Sequence, residues 1–183
     1  MDFLFFHPWV VHLPLALGVA MPLISLGVVL AWWFEWLPAR TWILAVALQV
    51  LLVVSGFAAL KSGESAEQRV ERVVSRQVIE DHEATAETFV WAAVGVLVLM
   101  VAASATADSS VGLPLAGVAA AGTLVVLAFG YRTGAEGGAL VYRHGAASAY
   151  VDADSSGAPG GTDGRIARKP KRLSQKADDY VRP

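Results

Sequence analysis

Apolar residues run along this chain in four long blocks, 3–34, 41–60, 88–107 and 109–131, none of which contains Asp, Glu, Lys or Arg. A helix of roughly 20 apolar residues crosses a hydrocarbon core of about 30 Å. Backbone in lipid must satisfy its own hydrogen bonds, and a helix does so within one segment. The pattern therefore predicts an all-α, polytopic membrane four-helix bundle. Its domain covers residues 1–150, with spans at about 8–34, 41–61, 86–107 and 111–131.

Local signals refine each span. Pro8 suits the first helical position, where its missing N–H would have no partner, and Pro14 and Pro22 are expected to bend the first helix. Trp32, Trp33, Trp36 and Trp42 surround the first turn and predict an aromatic belt at the far interface. Gln49, in mid-span, predicts a hydrogen bond between helices. Residues 62–87 are charged yet periodic. Val70, Val74, Val78, His82, Thr85 and Phe89 recur every three or four positions, the spacing of one helical face. This predicts a third helix that starts near Ser65, projects as a long amphipathic extension and continues unbroken to about Ala107; a tilt, or a break that lays the amphipathic part on the membrane, fits the pattern equally. In the fourth span, Ala116/Ala120 and Gly117/Ala121 are small pairs that would allow close helix approach. Gly134, Gly137 and Gly138 predict a chain reversal after it. Residues 151–183 are rich in Gly, Ser, Asp and basic residues and predict a disordered polar tail.

Composition narrows the function classes. Apolar residues make up 55% of the chain and charged residues 16%, against about 25% charged in an ordinary soluble domain. A soluble enzyme and a nucleic-acid-binding module both fit poorly. The chain has no Cys, which removes disulfides, thiolate metal sites and thiol catalysis. No acid or base falls at mid-membrane, which argues against a proton-coupled transporter. The first apolar block exceeds a signal-peptide core and lacks a basic leader, so it reads as a retained helix. With four spans, both termini and segment 62–87 share one side. Lys61, Arg69, Arg72, Arg76, Arg132 and Arg143 lie near the membrane on that side, and Arg40 alone lies opposite. The excess of basic residues predicts cytoplasmic termini in the cell membrane.

The same topology places all four histidines, His7, His12, His82 and His144, on one side. Imidazole is the commonest metal ligand and an axial ligand of haem iron, and bundles build such sites from facing helices. The expected pair is His12 with His82, supported by His7 and His144 and walled by Trp9 or Tyr142. His7 and His12 are five residues apart, so on a regular helix they point about 140° apart. Both can face one metal only if His7 lies outside the helix, as Pro8 would allow. Asp81, Glu83 and Glu87 flank His82 and could orient its second nitrogen. The alternatives are that these are interfacial histidines that cap helices or bond to carboxylates, or that they handle protons.

Three blocks resemble a known family. The run His7-Pro8-Trp9-Val10-Val11-His12-Leu13-Pro14 is close to an opening "HPxxVHFP". Gly63-Glu64 with Asp81-His82-Glu83 matches an acidic helix ending in His. Thr133-Gly134 through Gly137-Gly138-Ala139-Leu140-Val141-Tyr142-Arg143-His144-Gly145 is close to "TGxxGGxLVYxHG". On these residues the chain resembles the prokaryotic membrane-protein family called domain of unknown function 2231, a four-helix membrane family. The resemblance implies a ligand role for the four histidines. It also implies an electron-transfer setting, because some members are fused to or encoded near c-type cytochrome domains. Any haem here would be non-covalent, since there is no Cys. Two function classes follow. One is a histidine-ligated haem b or transition-metal electron-transfer subunit, partnered by a redox protein such as a c-type cytochrome or by another membrane subunit. The other is a cofactor-free structural anchor or assembly module. Neither carries catalytic residues of its own.

Overall fold

The computed structural model describes residue 7 and residues 10–149, the side chains of 68 and 69 excepted. The expectations for Pro8, Trp9 and the tail at 151–183 lie outside the described residues. Among the described residues, four helices are long and apolar enough to cross a membrane. They are α1 (His12–Trp33), α2 (Trp42–Val70), α3 (Arg76–Ala105) and α4 (Gly112–Tyr142), with a short 3-10 turn at Ala39–Thr41 before α2. No strand occurs among the described residues. Short links make consecutive helices antiparallel neighbours. Each helix packs on the next and α4 closes the ring on α1, with the α3–α4 interface the most extensive. Every helix also carries large exposed apolar side chains, such as Leu23, Val54, Val98 and Leu124. Apolar exposure on this scale marks a surface in contact with a membrane.

Burial inside the ring is set by close approach. The Phe89 ring of α3 reaches across to Gly18 of α1 and presses on Gly130 of α4; a Cβ at 130 would meet its Cε2 at 3.0 Å. One layer further along α3, Val96 Cγ2 would meet a Cβ at Gly122 at 2.9 Å. Ala116, Ala119 and Ala120 of α4 are likewise buried. Of the two small pairs read from the sequence, Ala116/Ala120 faces the core, while Ala121 is exposed.

Polar side chains in the core bond across helices. Gln49 donates through Nε2 to the Ala93 carbonyl at 2.9 Å, as its mid-span position predicts. Trp42 is only 1% exposed and donates through Nε1 to the Met100 carbonyl at 3.0 Å. It therefore belongs to the core, whereas Trp33 and Trp36 remain exposed at the interface.

Two expectations about segment boundaries are corrected. The predicted long amphipathic extension of the third helix is divided. Its first part prolongs α2 to Val70, the chain turns through 71–75, and α3 begins at Arg76. Tertiary burial decides this. Val74, Ile79 and Ala146 form a small buried cluster with Val70, Val78 and Leu140 against it. An unbroken helix would have carried these residues away from the bundle. The predicted reversal at Gly134, Gly137 and Gly138 is also absent, because all three are helical in α4. The chain turns at Gly145 instead, with φ +72°. There the Arg143 and His144 N–H groups both donate to the Ala139 carbonyl and Ala146 donates to Leu140, which returns Ala146 to the interior.

Gly130→Val is expected to destabilise the bundle by about 1–3 kcal/mol, since the added side chain must displace the Phe89 ring. Gly117→Ala, where no atom lies within 4 Å of the added Cβ, is expected to be neutral or slightly stabilising. Unfolding midpoints by circular dichroism in detergent check both.

Candidate functional site

At the end of the bundle that carries residue 7, the helix ends separate around a cavity of about 520 Å³. Leu60 and Val70 of α2, Ile79 of α3, Leu140 of α4 and Ala146 beyond it give the cavity mainly apolar walls. His7 and His82 line it too, and Glu64, Glu67 and Glu83 sit among the lining residues.

His7 is held by α2. The Val11 N–H donates to the His7 carbonyl at 3.2 Å, so the helical turn reaches back to residue 7. The ring lies over Gly63, where a Cβ would meet its Cε1 at 3.4 Å. Its Nδ1 is 2.7 Å from Ser62 Oγ, and Ser62 donates its single hydroxyl proton to the Ala59 carbonyl at 2.8 Å. Ser62 must then accept, so Nδ1 carries the imidazole hydrogen and Nε2 keeps its lone pair. The tautomer is thus assigned from the hydrogen-bond network. Burial pushes the His7 pKa below its ordinary value, and the proximity of His82 pushes it the same way.

His82 is held between α3 and α4. A Cβ at Gly137 would meet its Cε1 at 3.2 Å, so the glycine serves close approach where the sequence suggested a turn. Glu136, on the next residue, interacts electrostatically with His82. One Glu136 oxygen accepts from Arg132 Nε at 2.8 Å. The other, Oε2, and His82 Nδ1 are buried without a hydrogen-bond partner among the described residues. Polar atoms in that state gain from any ligand or water that reaches them.

The structure brings together two of the four predicted histidines. His7 and His82 share the cavity, whereas His12 and His144 are exposed and do not line it. The expected pairing of His12 with His82 is therefore corrected to His7 with His82. The reason is the five-residue spacing: once residue 7 is helical and faces Ser62, His12 points about 140° away. Tyr142, an expected wall, is 89% exposed, and its neighbour Val141 lines the cavity instead. Asp81 is exposed, and Gln77 bonds to it at the helix surface. The carboxylate near His82 is Glu136, which sequence reasoning missed. Its signal was the spacing of Phe129, Thr133, Glu136 and Leu140, which continues the fourth helical face past Tyr131.

A zinc-type centre needs three or four protein ligands. Among the described residues no group of three or more His, Asp or Glu is placed to hold a metal ion. Two imidazoles on one cavity are the number that bis-histidine axial ligation of a haem would use. Comparison with protein families, curated proteins and solved structures finds no match for the chain.

The lowered pKa of His7 gives a pH dependence with a definite sign. Between that value and the ordinary imidazole value of 6.5, the unfolded chain binds more protons than the folded one. Stability therefore rises with pH through this window, and is lost as pH falls below about 6.5. The unfolding midpoint in detergent is expected to be lower at about pH 5 than at about pH 7.5. His7→Gln is expected to reduce that difference, and an unchanged difference in the variant would contradict the assignment.

Proposed function

We propose that this four-helix membrane protein is a cofactor-free anchor or assembly module for a larger complex, with the apolar cavity at its polar end serving as the contact point. The observation that carries this reading is the divergence of the donor set. His12 and His144 are exposed away from the cavity, and no three ligating side chains converge among the described residues. What does converge is a mainly apolar hollow rimmed by carboxylates, a surface suited to another polypeptide. The absorption spectrum and metal content of detergent-purified protein test it. A colourless, metal-free sample is the expected result, and a Soret band with a reducible α-band overturns it.

A second reading has a specific observation in its favour. The His7 and His82 rings line the same cavity from different helices, and with the His7 proton assigned to Nδ1 its Nε2 carries the lone pair a metal would take. In that reading His7 and His82 bind haem b or a transition metal, which supplies one-electron chemistry when bound. The resemblance to the domain of unknown function 2231 family then suggests a redox partner such as a c-type cytochrome. Here His7→Ala and His82→Ala would each abolish the spectrum, and His12→Ala would leave it intact.

We further propose that both termini are cytoplasmic. Six near-membrane basic residues on their side oppose Arg40 alone. A reporter fused after residue 150 is expected to give a cytoplasmic signal, and a periplasmic signal overturns the orientation.

A further inference from the structure

Hydrogen-bond acceptors outnumber donors in the cavity. His7, His82, Glu64, Glu67 and Glu83 supply every polar side chain among its described lining residues. An ionised carboxylate only accepts. His7 directs its ring hydrogen at Ser62, so what it offers a ligand is the Nε2 lone pair. His82 supplies at most one N–H while neutral. No Lys, Arg, Ser, Thr or Tyr is found among the described lining residues. A ligand that satisfies such a surface must bring the donors itself.

The carboxylates call for charge as well. Glu64 and Glu67 of α2 lie close enough to Glu83 of α3 to repel it, and Glu80 and Glu87 on its own helix add to that repulsion. Among the described ion pairs Lys61 joins Glu64, Arg76 joins Glu80 and Arg132 joins Glu136, and none of them reaches Glu67 or Glu83. A cation in the hollow removes this repulsion. A bare metal ion does not fit, because no group of three or more His, Asp or Glu among the described residues is placed to hold one. It would also leave the walls of Leu60, Ile79 and Leu140 against water. A cavity of about 520 Å³ is of the size that holds small organic ligands, roughly 300–1,000 Å³. The positive charge therefore belongs on an organic molecule with an apolar body.

We propose that the cavity is a binding site for a small organic cation, an alkyl- or arylalkyl-ammonium whose N–H groups donate to His7 Nε2 and to the carboxylates of Glu67 and Glu83 while its apolar body packs on Leu60, Ile79 and Leu140. The choice of a primary ammonium over a quaternary one follows from His7, since a lone pair is satisfied by an N–H and not by a methyl group. The choice of a cation over a neutral donor such as a phenol follows from the carboxylates, whose repulsion only charge relieves. The inference goes beyond the module reading: a partner contacts the rim of the hollow, and the ligand fills it. Spectrum and metal content decide the one, and ligand affinity decides the other.

Three ligands of similar shape separate these contributions: phenylbutylammonium, phenylbutyltrimethylammonium and neutral phenylbutanol. The full chain is placed in nanodiscs of phosphatidylcholine, and each ligand is titrated by calorimetry at about pH 7.5 and low salt, with empty nanodiscs subtracted. The primary ammonium is expected to bind about tenfold more tightly than the alcohol, the margin of one charge-assisted hydrogen bond. The trimethyl compound should fall between them. Raising the salt to about 0.5 M should narrow the gap between cation and alcohol. Glu67→Gln with Glu83→Gln should weaken the primary ammonium about five- to tenfold and leave the alcohol unchanged. His7→Asn keeps a side-chain N–H for Ser62 and has no counterpart of Nε2, so it should bring the primary ammonium down to the affinity of the trimethyl compound. Glu71→Gln, exposed in the α2–α3 turn and outside the cavity, should change nothing. Binding no greater than that of empty nanodiscs overturns the proposal. So does a primary ammonium that binds no better than the alcohol or the trimethyl compound, or one whose affinity ignores the two glutamates. The comparisons among ligands use the unaltered protein, so they decide the matter even where a variant fails to fold.

Discussion

The register between α3 and α4 is the constraint on which the rest depends. Three side chains of α3, spaced by seven residues, stand against three glycines of α4: His82 at Gly137, Phe89 at Gly130 and Val96 at Gly122. Seven residues are about two helical turns, so the contacts form successive layers roughly 10 Å apart. Near-heptad spacing in both directions is the mark of antiparallel helices at a shallow crossing angle. Each glycine gives up a side chain so that the larger partner can enter. In lipid, where burying apolar surface between helices gains little over burying it in acyl chains, such close packing is the main attraction available. The site belongs to the same ladder as the core: a register that puts Phe89 on Gly130 necessarily puts His82 on Gly137.

The α2–α3 interface obeys the same spacing by different means. Trp42 donates to the Met100 carbonyl and Gln49 to the Ala93 carbonyl, again seven residues apart on each helix and running in opposite directions. These donors bind backbone oxygens already used in the α3 ladder, so they fix register without opening the helix. A slip of one residue on α2 would leave a buried indole N–H and a buried amide unpaired, at a cost of about 1–3 kcal/mol for each. Glycine packing on one side of α3 and directed hydrogen bonds on the other thus pin one helix from two neighbours. His82 inherits its position from both.

The four spans were legible because charge-free length is a one-dimensional property. Whether the third amphipathic segment breaks, and that it does so at 71–75, was not, because the periodicity of Val70, Val74 and Val78 is the same in one long helix as in two helices folded back. Only the burial of Val74 against Ile79 and Ala146 distinguishes them, and Ala146 is some seventy residues away. The site was half legible. The 140° between His7 and His12 already implied that one histidine must point out once residue 7 is helical. Which one points in is set by Ser62 and Gly63, residues of another helix. Glu136 was hidden because glycines on either side of it suggest a turn in soluble proteins, whereas in a membrane bundle the same residues permit helix contact. Trp42 shows the converse: an aromatic near an interface reads as part of a belt until an acceptor such as the Met100 carbonyl is found inside.

The cavity follows from side-chain size along the same ladder. At the level of Phe89 the ring fills the space between α1 and α4, touching Gly18 on one and Gly130 on the other. Two turns toward the polar end, the α3 position is His82, which is smaller and leans on Gly137, while His7 leans on Gly63 of α2. Imidazoles packed against glycines of neighbouring helices leave room for the cavity. The mainly apolar walls penalise charge, which is why His7 resists protonation. Glu64, Glu67 and Glu83 line the same cavity. Apolar walls and imidazoles seated on glycines are therefore consequences of one register, the smaller side chain at His82 leaving open the space that Phe89 fills two turns further in.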